Sequence, residues 1–404
     1  MKNVFLIGNG FDLYHKLPTT YFDFMCVAEC FIARPLSSTL SIGEIFSKCD
    51  KSKNIQMFYG KNKEYFDNTT INMEKMSQLT NITSSNIWFH YFLKTFDADL
   101  GWIDFEKEIS MVIKTLNKLI PNDSKEIRVN RSDTLSAFIL SNFSFFLSEA
   151  EVLVDSGNTY EIHSDYLRQY PFNSNIYVAD KKEIFETLYG ELYSFSQALQ
   201  IYFECFIEKS FEFLYKAGYV NEFNMKIFEK ADDIIIFNYT RTIEELYQIS
   251  KNIYHIHGTV KAGEIVLGVN PGNENENLLN DINLIKFKKY YQREIYNSDV
   301  EYIKWYREIV KDEREYRIIT IGHSLDKTDS DILSELFKKA KEIYISYHND
   351  KAKTEYMSNI TQMFGEQEFT KFKIEKNLKF VSLSDINNLN KEFNEPEITW
   401  DFIQ

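Results

Sequence analysis

Glycine, proline and cysteine are all scarce in this sequence of 404 residues. The chain holds 14 glycines and 6 prolines, which excludes collagen-like and Gly/Pro-rich low-complexity proteins. Its 4 cysteines contain no CxxC pair, so the sequence predicts neither a structural zinc module nor a disulfide framework. This cysteine usage favours a reducing compartment, and we expect a cytoplasmic protein.

Positive charge and long apolar runs are also lacking. Lys and Arg total 46 against 60 for Asp and Glu, a net charge of -14, whereas nucleic-acid binding requires clustered positive charge. The N-terminal apolar run, residues 4–7, is shorter than the core of a signal peptide, and no run reaches the ~18 uncharged residues of a membrane span. We therefore expect neither a membrane partner nor a nucleic-acid partner.

The sequence does contain the material of a large folded core. Hydrophobic residues make up 44% and aromatic residues 16% of the chain, which is a globular composition. Short apolar runs followed by turn residues predict strands at residues 3–8, 233–238, 253–257, 264–268, 317–322, 342–347 and 379–383. Most of these runs are continuous rather than alternating, as in strands covered on both faces. The sequence thus predicts an α/β fold, a Rossmann-like and mostly parallel sheet with helices on both faces.

Helical periodicity occupies the long interval between the first two predicted strands. Apolar residues recur every three or four positions at 105–120 and 184–206, and residues 135–154 have the composition of a packed helix. Residues 37–85 and 270–283 are rich in small polar residues and are predicted as loops.

These patterns predict two domains. Residues 1–36 and 231–404 form the Rossmann-like domain, because the first predicted strand belongs with strands that follow residue 231. Residues 37–230 form a mainly helical domain inserted into it.

A glycine turn follows the first predicted strand. Gly8, Asn9 and Gly10 allow a tight turn and let backbone amides approach a diphosphate at a helix N-terminus, although a plain strand-to-helix turn needs the same residues. Asp12 lies in the first helical turn. It either interacts favourably with the helix dipole or binds a ligand hydroxyl, since a carboxylate against a diphosphate would be repulsive.

Polar residues also follow two later strands. Asn238, Tyr239 and Thr240 end the second predicted strand, where ligands bind in open α/β sheets, although Asn is also a common turn residue. His255 and His257 lie two apart on one strand face. Such a pair can bind a metal, one histidine can act as a general base, or either can be a hydrogen-bonded core residue.

A second glycine turn repeats the first arrangement. Gly322, His323 and Ser324 follow an apolar strand and precede a helix that begins near Asp329 or Asp331. Backbone amides and the Ser324 hydroxyl can hold a ribose or phosphate there. The alternative is an ordinary turn in which Asp329 starts the helix.

These motifs together resemble the bacteriophage abortive-infection AbiH family. The resemblance spans residues 3 to about 334. It rests on GNGFDLxxxLPTxYxDF at the N-terminus, NxWxxYF at 86–92, GWIDFE at 101–106, FNYT at 237–240, HIHG followed by IVLG, FKKYYQ at 287–292, and GHSL.

That family in turn looks like a divergent branch of the sirtuin-like NAD-binding fold. The resemblance implies that Gly8, Asn9, Gly10 and Phe11 belong to the cofactor loop and that Thr19 lies near the nicotinamide pocket. It implies that His257, followed by Gly258, is the active-site histidine, and that Gly322, His323 and Ser324 contact the distal ribose. Tyr239 and Thr240 join the expected nucleotide-binding residues.

The resemblance implies hydrolysis of NAD to nicotinamide and ADP-ribose, with NAD as substrate. We expect Asn238 to orient water or a ribose hydroxyl, His257 to act as base and Asp12 to contribute at the reacting ribose. Sirtuin deacetylases carry a four-cysteine zinc module that this chain lacks, which argues against deacetylation.

The alternatives are a sensor that binds NAD or ADP-ribose without turnover, and a metal-dependent hydrolase built on His255 and His257. With no third ligand at suggestive spacing, we expect no bound metal and activity that tolerates EDTA. The expected partner is a small-molecule nucleotide, together with a homo-oligomer or a phage-derived trigger.

Overall fold

The computed structural model describes residues 1–32, 40–95, 104–130, 132–147, 159–223, 225–250, 252–270, 281–389 and 393. In this part of the chain the strands are β1 (Lys2–Ile7), β2 (Glu126–Arg128), β3 (Thr159–Glu161), β4 (Leu167–Tyr170), β5 (Asn173–Ala179), β6 (Asp233–Ile236), β7 (Ile253–His255), β8 (Tyr316–Ile321), β9 (Glu342–Tyr347) and β10 (Lys379–Ser382). The helices are α1 (Gly10–Tyr14), α2 (Tyr21–Ile32), α3 (Ile42–Phe46), α4 (Lys53–Lys61), α5 (Lys63–Asn68), α6 (Met73–Ser85), α7 (Ile87–Thr95), α8 (Phe105–Leu119), α9 (Thr134–Leu147), α10 (Lys181–Tyr202), α11 (Phe211–Lys216), α12 (Thr242–Tyr247), α13 (Lys289–Tyr296), α14 (Val300–Lys311), α15 (Ser330–Lys339), α16 (Asp350–Phe364) and α17 (Glu366–Glu375).

The chain divides into two compact units. Unit 1 comprises Met1–His15, Ser210–Ile256 and Asp299–Gln404, and unit 2 comprises Lys16–Lys209 and His257–Ser298. The boundaries of the two predicted domains differ from those of the units. Residues 16–36 and 257–298, predicted in the Rossmann-like domain, fall in unit 2, and residues 210–230, predicted in the helical insertion, fall in unit 1.

Hydrogen bonds between distant segments of each unit agree with this division. In unit 2 the Gln200 side chain donates to the carbonyl of Val260 over 3.3 Å. In unit 1 the Tyr219 hydroxyl donates to the carbonyl of His15 over 2.8 Å.

Unit 1 is built on a six-stranded sheet in the order β10-β9-β8-β1-β6-β7. Every neighbouring pair in this sheet is parallel. Counted in chain order within the sheet, this is 6-5-4-1-2-3, the strand order of doubly wound dinucleotide-binding sheets. The prediction that the N-terminal strand lies inside a parallel sheet, beside strands from the C-terminal half, is confirmed.

Helices cover both faces of this sheet. On one face, Val4 and Leu6 pack with Trp305 of α14 and Leu336 of α15. On the other, Phe5 and Ile7 pack with Phe11 of α1, Phe228 and Ile243 of α12. The predicted α/β class is therefore confirmed, since continuous apolar strands are what a sheet buried on both sides requires.

The strand predicted at residues 264–268 does not form. Ile265, Val266 and Leu267 are buried, but the N–H of Val266 donates to the carbonyl of His257 over 3.0 Å instead of joining a sheet. Gly258 makes this return possible, because its φ is +75° and a Cβ there would lie 2.0 Å from the carbonyl oxygen of Glu264. An apolar run alone therefore indicated burial here, not a strand.

Unit 2 is mainly helical and packs around α10. The Trp88 indole of α7 donates to the Leu188 carbonyl of α10 over 2.9 Å. Phe92 of α7 stacks on Phe105 of α8, and Phe195 of α10 meets both rings edge to face. The helices predicted at 105–120 and 184–206 are confirmed as α8 and α10, whereas two short antiparallel ribbons, β2-β3 and β4-β5, were not predicted.

The loop predicted at residues 37–85 is wrong over its described part, which holds α3 to α6. Its polar residues begin helices: Ser41 accepts a hydrogen bond from the N–H of Glu44, and Asn72 does so from Glu74 and Lys75. Capping side chains of this kind replace the hydrogen bonds that the first helical amides lack. A composition typical of loops is also typical of closely spaced helix starts.

Two predictions fall partly outside the described residues. Of the helix predicted at 135–154, the structure describes α9 as far as Leu147. Of the loop predicted at 270–283, residues 271–280 lie outside the described part. No described helix is long and apolar enough to span a membrane.

Candidate functional site

The turns after β1 and β8 pack directly against each other. The N–H of Gly8 donates to the Ile321 carbonyl over 3.1 Å, and the N–H of Gly10 donates to the Gly322 carbonyl over 2.8 Å. A Cβ on Gly322 would lie 2.1 Å from the Phe11 nitrogen, and one on Gly8 would lie 2.5 Å from the Cα of His323. The packing of the two turns therefore requires glycine at these positions.

The backbone N–H groups that were predicted to bind a diphosphate take part in this packing. Besides Gly8 and Gly10, Phe11 donates its N–H to the Gly8 carbonyl over 2.9 Å. All three groups thus bind protein oxygens in this structure. The Phe11 ring is buried against His15, Phe228 and Tyr247, which makes Phe11 a core residue of unit 1.

The remaining residues of the two turns differ in exposure. Asn9 and Ser324 are exposed, whereas His323 is buried and its Nδ1 accepts the N–H of Leu325 over 2.9 Å. Its ring also meets Phe237 edge to face, with 4.3 Å between centroids. His323 therefore holds the turn, and Asn9 and Ser324 are the residues that a ligand can reach.

A buried carboxylate lies beside this turn, in α1. Asp12 is fully buried, and its two oxygens accept hydrogen bonds from the hydroxyls of Thr240 (2.5 Å) and Thr242 (2.7 Å). Burial raises the pKa of Asp12 from 3.8 to about 6, although the bonds from Thr240, Thr242 and Asn238 oppose the increase. A pKa this close to neutrality is common for groups in functional sites.

Asn238, just after β6, forms the next part of this cluster. Its side chain hydrogen-bonds to Asp12, and because a carboxylate only accepts, the Asn238 NH₂ is the donor. The side-chain oxygen of Asn238 is buried and has no hydrogen-bond partner among the described residues. Buried acceptors are almost always paired, so this oxygen is placed for a donor from a ligand or water.

His255 and Glu244 complete the polar cluster at this edge of unit 1. Ile7 pairs with Ile236, and Ile236 with His255, so His255 is in register with the carboxyl end of the central strand. His255 Nε2 lies 2.6 Å from Glu244 Oε1. The charge of Glu244 adds to the rise in the pKa of Asp12.

Three predicted site residues belong to unit 2. Thr19 is buried and donates its N–H to the Leu17 carbonyl over 3.0 Å. His257 is buried and Gly258 forms the turn described above. In unit 1 the structure brings together Asp12, Asn238 and Thr240, with the adjacent Tyr239 also buried.

Sequence reasoning missed Thr242 and Glu244. Both follow FNYT within a few residues, and the signal that could have found them is an acidic residue in the first turn of the helix after a polar strand end. Their role depends on partners far away in the chain: Thr242 bonds to a carboxylate 230 residues earlier.

Unit 2 uses several of the motif residues for packing. Lys289, from FKKYYQ, is buried and pairs with Glu106, from GWIDFE, over 2.8 Å. Gln292 donates to the Leu267 carbonyl over 3.0 Å. A separate cavity of about 260 Å³ is lined by Cys26, Glu29, Cys30, Lys48, Cys49, Asp50 and Lys51. Within the described part of the chain, no three His, Cys, Asp or Glu side chains are grouped so that they could hold a metal ion.

The fold and this cluster define a doubly wound parallel α/β protein with buried polar chemistry at the carboxyl edge of its sheet. The family model for bacteriophage abortive infection AbiH matches residues 4–349. The chain belongs to the AbiH family, as its motifs predicted. Comparison with curated proteins and with solved structures gives no match.

Proposed function

We propose that this abortive-infection protein hydrolyses NAD to nicotinamide and ADP-ribose at the carboxyl edge of the sheet in unit 1. The observation that carries the proposal is the buried oxygen of Asn238, which lies beside the Asp12 carboxylate and has no hydrogen-bond partner in the described part of the chain. The strand order of a dinucleotide-binding sheet supports it. The sirtuin-like relationship is part of the proposal.

The chemistry demands little acid assistance, because nicotinamide leaves as a neutral base. As the bond from ribose C1′ to nicotinamide breaks, positive charge develops on the ribose and water must be directed to C1′. The Asn238 oxygen accepts a hydrogen bond from that water or from a ribose hydroxyl. The Asp12 carboxylate contributes negative charge near the developing cation.

Asp12 also positions Asn238. Because the carboxylate binds the Asn238 NH₂, the amide cannot turn over without losing that bond, and its oxygen stays directed away from Asp12. The hydroxyls of Thr240 and Thr242 hold the carboxylate in turn. Such fixed donors and acceptors reduce the reorganisation needed during reaction.

Two further assignments from the sequence remain predictions in this proposal. Ser324 is the contact for the distal ribose, at an exposed position after β8. His257, in unit 2, stays a predicted base.

The test is nicotinamide release. Cells expressing the wild-type chain should lose NAD and accumulate nicotinamide after phage infection, and purified protein should release nicotinamide from NAD. Asn238→Ala should lower turnover by about 10²- to 10⁴-fold, because its amide orients the water or the ribose hydroxyl. The variant also loses a hydrogen bond to the buried Asp12 carboxylate, so its unfolding midpoint should fall while the protein remains folded. Asn68→Ala, at an exposed position in α5, is the matched control and should behave as wild type.

Each alternative has its own outcome. NAD binding without nicotinamide release would favour the sensor, and loss of activity on chelation would favour the metal-dependent hydrolase. Unchanged NAD in infected cells that nevertheless stop growing would overturn the hydrolysis proposal.

A further inference from the structure

The pair formed by His255 and Glu244 has no role in the mechanism above. The ring Nε2 of His255 lies 2.6 Å from Oε1 of Glu244, and both side chains are mostly buried, with 13% and 20% exposed. Buried ionisable pairs at the carboxyl edge of a parallel sheet are candidates for chemistry, since ligands bind at this edge.

Glu244 fixes which ring nitrogen of His255 carries the proton. An ionised carboxylate only accepts hydrogen bonds, so the neutral ring donates from Nε2 and keeps a lone pair on Nδ1. That Nδ1 is buried without a hydrogen-bond partner among the described residues, and so is Oε2 of Glu244. The pair therefore presents a basic nitrogen that no described side chain or backbone group uses.

His15, in the same unit, shows what a structural histidine looks like. It is fully buried, its Nδ1 lies 2.7 Å from the Phe11 carbonyl oxygen, and its Nε2 lies 2.5 Å from the Tyr247 hydroxyl. Both nitrogens of His15 are thus satisfied by the protein. His255 has one satisfied nitrogen and one that needs an explanation.

The pair belongs to the cluster that contains Asn238. His255 pairs with Ile236, two residues before Asn238 in β6 and its continuation. The charge of Glu244 acts on Asp12, which in turn binds the Asn238 amide. A ring nitrogen and an amide oxygen, both without partners among the described residues, therefore occur on neighbouring strands at one edge of the sheet.

We propose that His255, oriented by Glu244, is the general base of this site, a role that the family resemblance had implied for His257. The inference rests on the proposed hydrolysis. As the water oxygen bonds to C1′ of ribose, the electron pair of the breaking C1′–N bond leaves with nicotinamide. The proton of the water passes to Nδ1 of His255, and the imidazolium later releases it to solvent. A carboxylate on one nitrogen and the reacting proton on the other is the arrangement of hydrolytic dyads.

The first experiment compares four variants in NAD turnover. His255→Ala should reduce kcat by about 10²- to 10⁴-fold, and added imidazole should restore part of it, which a merely structural histidine would not allow. Glu244→Gln should lower kcat by about 10- to 100-fold with little change in KM, because it orients the base. His348→Ala, at an exposed position, should match wild type.

The fourth variant decides between the two histidines. Imidazole rescue of His257→Ala but not of His255→Ala would overturn the inference and leave the proposed hydrolysis standing. A wild-type chain that releases no nicotinamide would instead overturn the proposed hydrolysis.

A second measurement needs no activity. ¹⁵N NMR of the wild-type protein should show the neutral His255 ring protonated at Nε2, and Glu244→Gln should shift the Nε2 resonance while leaving the His15 resonances in place. A ring protonated at Nδ1 would overturn the dyad.

Discussion

The turns after β1 and β8 and the carboxyl ends of β6 and β7 lie at the same edge of one sheet, but their polar groups are satisfied differently. In the first pair, the N–H groups of Gly8 and Gly10 donate to carbonyls of the neighbouring turn. In the second pair, the Asn238 oxygen and one nitrogen of His255 are buried without partners among the described residues. The difference separates a part of the edge whose polar groups hold the sheet together from a part that keeps buried polar atoms available for a ligand or water.

The comparison changes what a glycine turn signifies. A GxG turn after a first strand is usually connected with phosphate binding. Here the close approach of two turns requires glycine at Gly8 and Gly322, and also at Gly10, where a Cβ would lie 2.7 Å from the Gly322 oxygen. Asn238, which follows β6 and looks less distinctive in the sequence, carries a side-chain oxygen that no described residue binds. Substitutions on the two sides of the edge should therefore damage different properties.

The largest effect should come from Gly322→Ala. Gly322 has φ of +66°, and a Cβ would lie 2.1 Å from the Phe11 nitrogen, a backbone atom that cannot rotate away. We expect a loss of more than about 4 kcal/mol in the free energy of unfolding, or no soluble protein, because strain and collision act together. Urea unfolding and soluble yield measure it.

Gly190→Ala is the matched control for that substitution. Gly190 lies within α10, and a Cβ there meets nothing within 4 Å. Because alanine has the higher helix propensity, the free energy of unfolding should rise by about 1 kcal/mol. An unfolding midpoint of Gly322→Ala equal to that of wild type would contradict the closed packing of the two turns.

An intermediate effect should appear in the pH dependence of Asp12→Asn. The pKa of the Asp12 carboxyl is about 6 in the folded chain, above its ordinary value of 3.8. Between these values the folded state binds more protons than the unfolded state, so the Asp12 contribution to stability falls as pH rises from about 4 to about 6, by about 3 kcal/mol. Asp12→Asn removes this pH-dependent contribution. The free energy of unfolding of the wild type should therefore fall by about 3 kcal/mol relative to that of Asp12→Asn as pH rises from about 4 to about 6.

The measurement is urea unfolding of wild type and variant at several pH values between 4 and 7. Asp123→Asn, at an exposed position, should follow the wild-type curve. If the free energies of unfolding of wild type and Asp12→Asn differ by the same amount at every pH in this range, burial does not raise the pKa of the Asp12 carboxyl.

The smallest effect on stability should come from Ser324→Ala. Ser324 is exposed in the turn after β8, so the free energy of unfolding should change by less than about 0.5 kcal/mol. As the proposed contact to the distal ribose, its loss should raise the KM for NAD several-fold. An unchanged KM would restrict ligand binding to the β6 and β7 side of the edge.

Much of the sheet could be predicted from the sequence, because strands buried on both faces leave continuous apolar runs. Residues 342–347 were predicted as a strand and form β9 over the same range. Residues 264–268 show the limit of that signal. This apolar run is buried, but its backbone bonds to the preceding segment of the chain at His257 and not to a sheet, and its composition is the same as that of a strand. The helices α3 to α6 were missed because capping Ser and Asn residues resemble loop residues.

The site was predictable only in its separate residues. Asp12 and Asn238 could be selected because each is polar and follows a strand. Their contact could not, since Asp12 meets Thr240 across 228 residues of sequence. The pairing of His255 with Glu244 depends on how α12 packs after β6, and no local pattern encodes that geometry.

The central position of β1 has a consequence for synthesis of the chain. Ile7 of β1 pairs with Ile321 of β8. During synthesis, β1 therefore lacks its β8 neighbour until 314 more residues have been translated, which takes roughly 15 to 60 s at ordinary rates of elongation. Until then the turn after β1 lacks the carbonyls of Ile321 and Gly322 to which its amides donate. Nascent chains, and products of translation that stops before residue 321, therefore cannot assemble this edge of the sheet. Whatever reaction this edge supports, only a chain translated past Gly322 can carry it out.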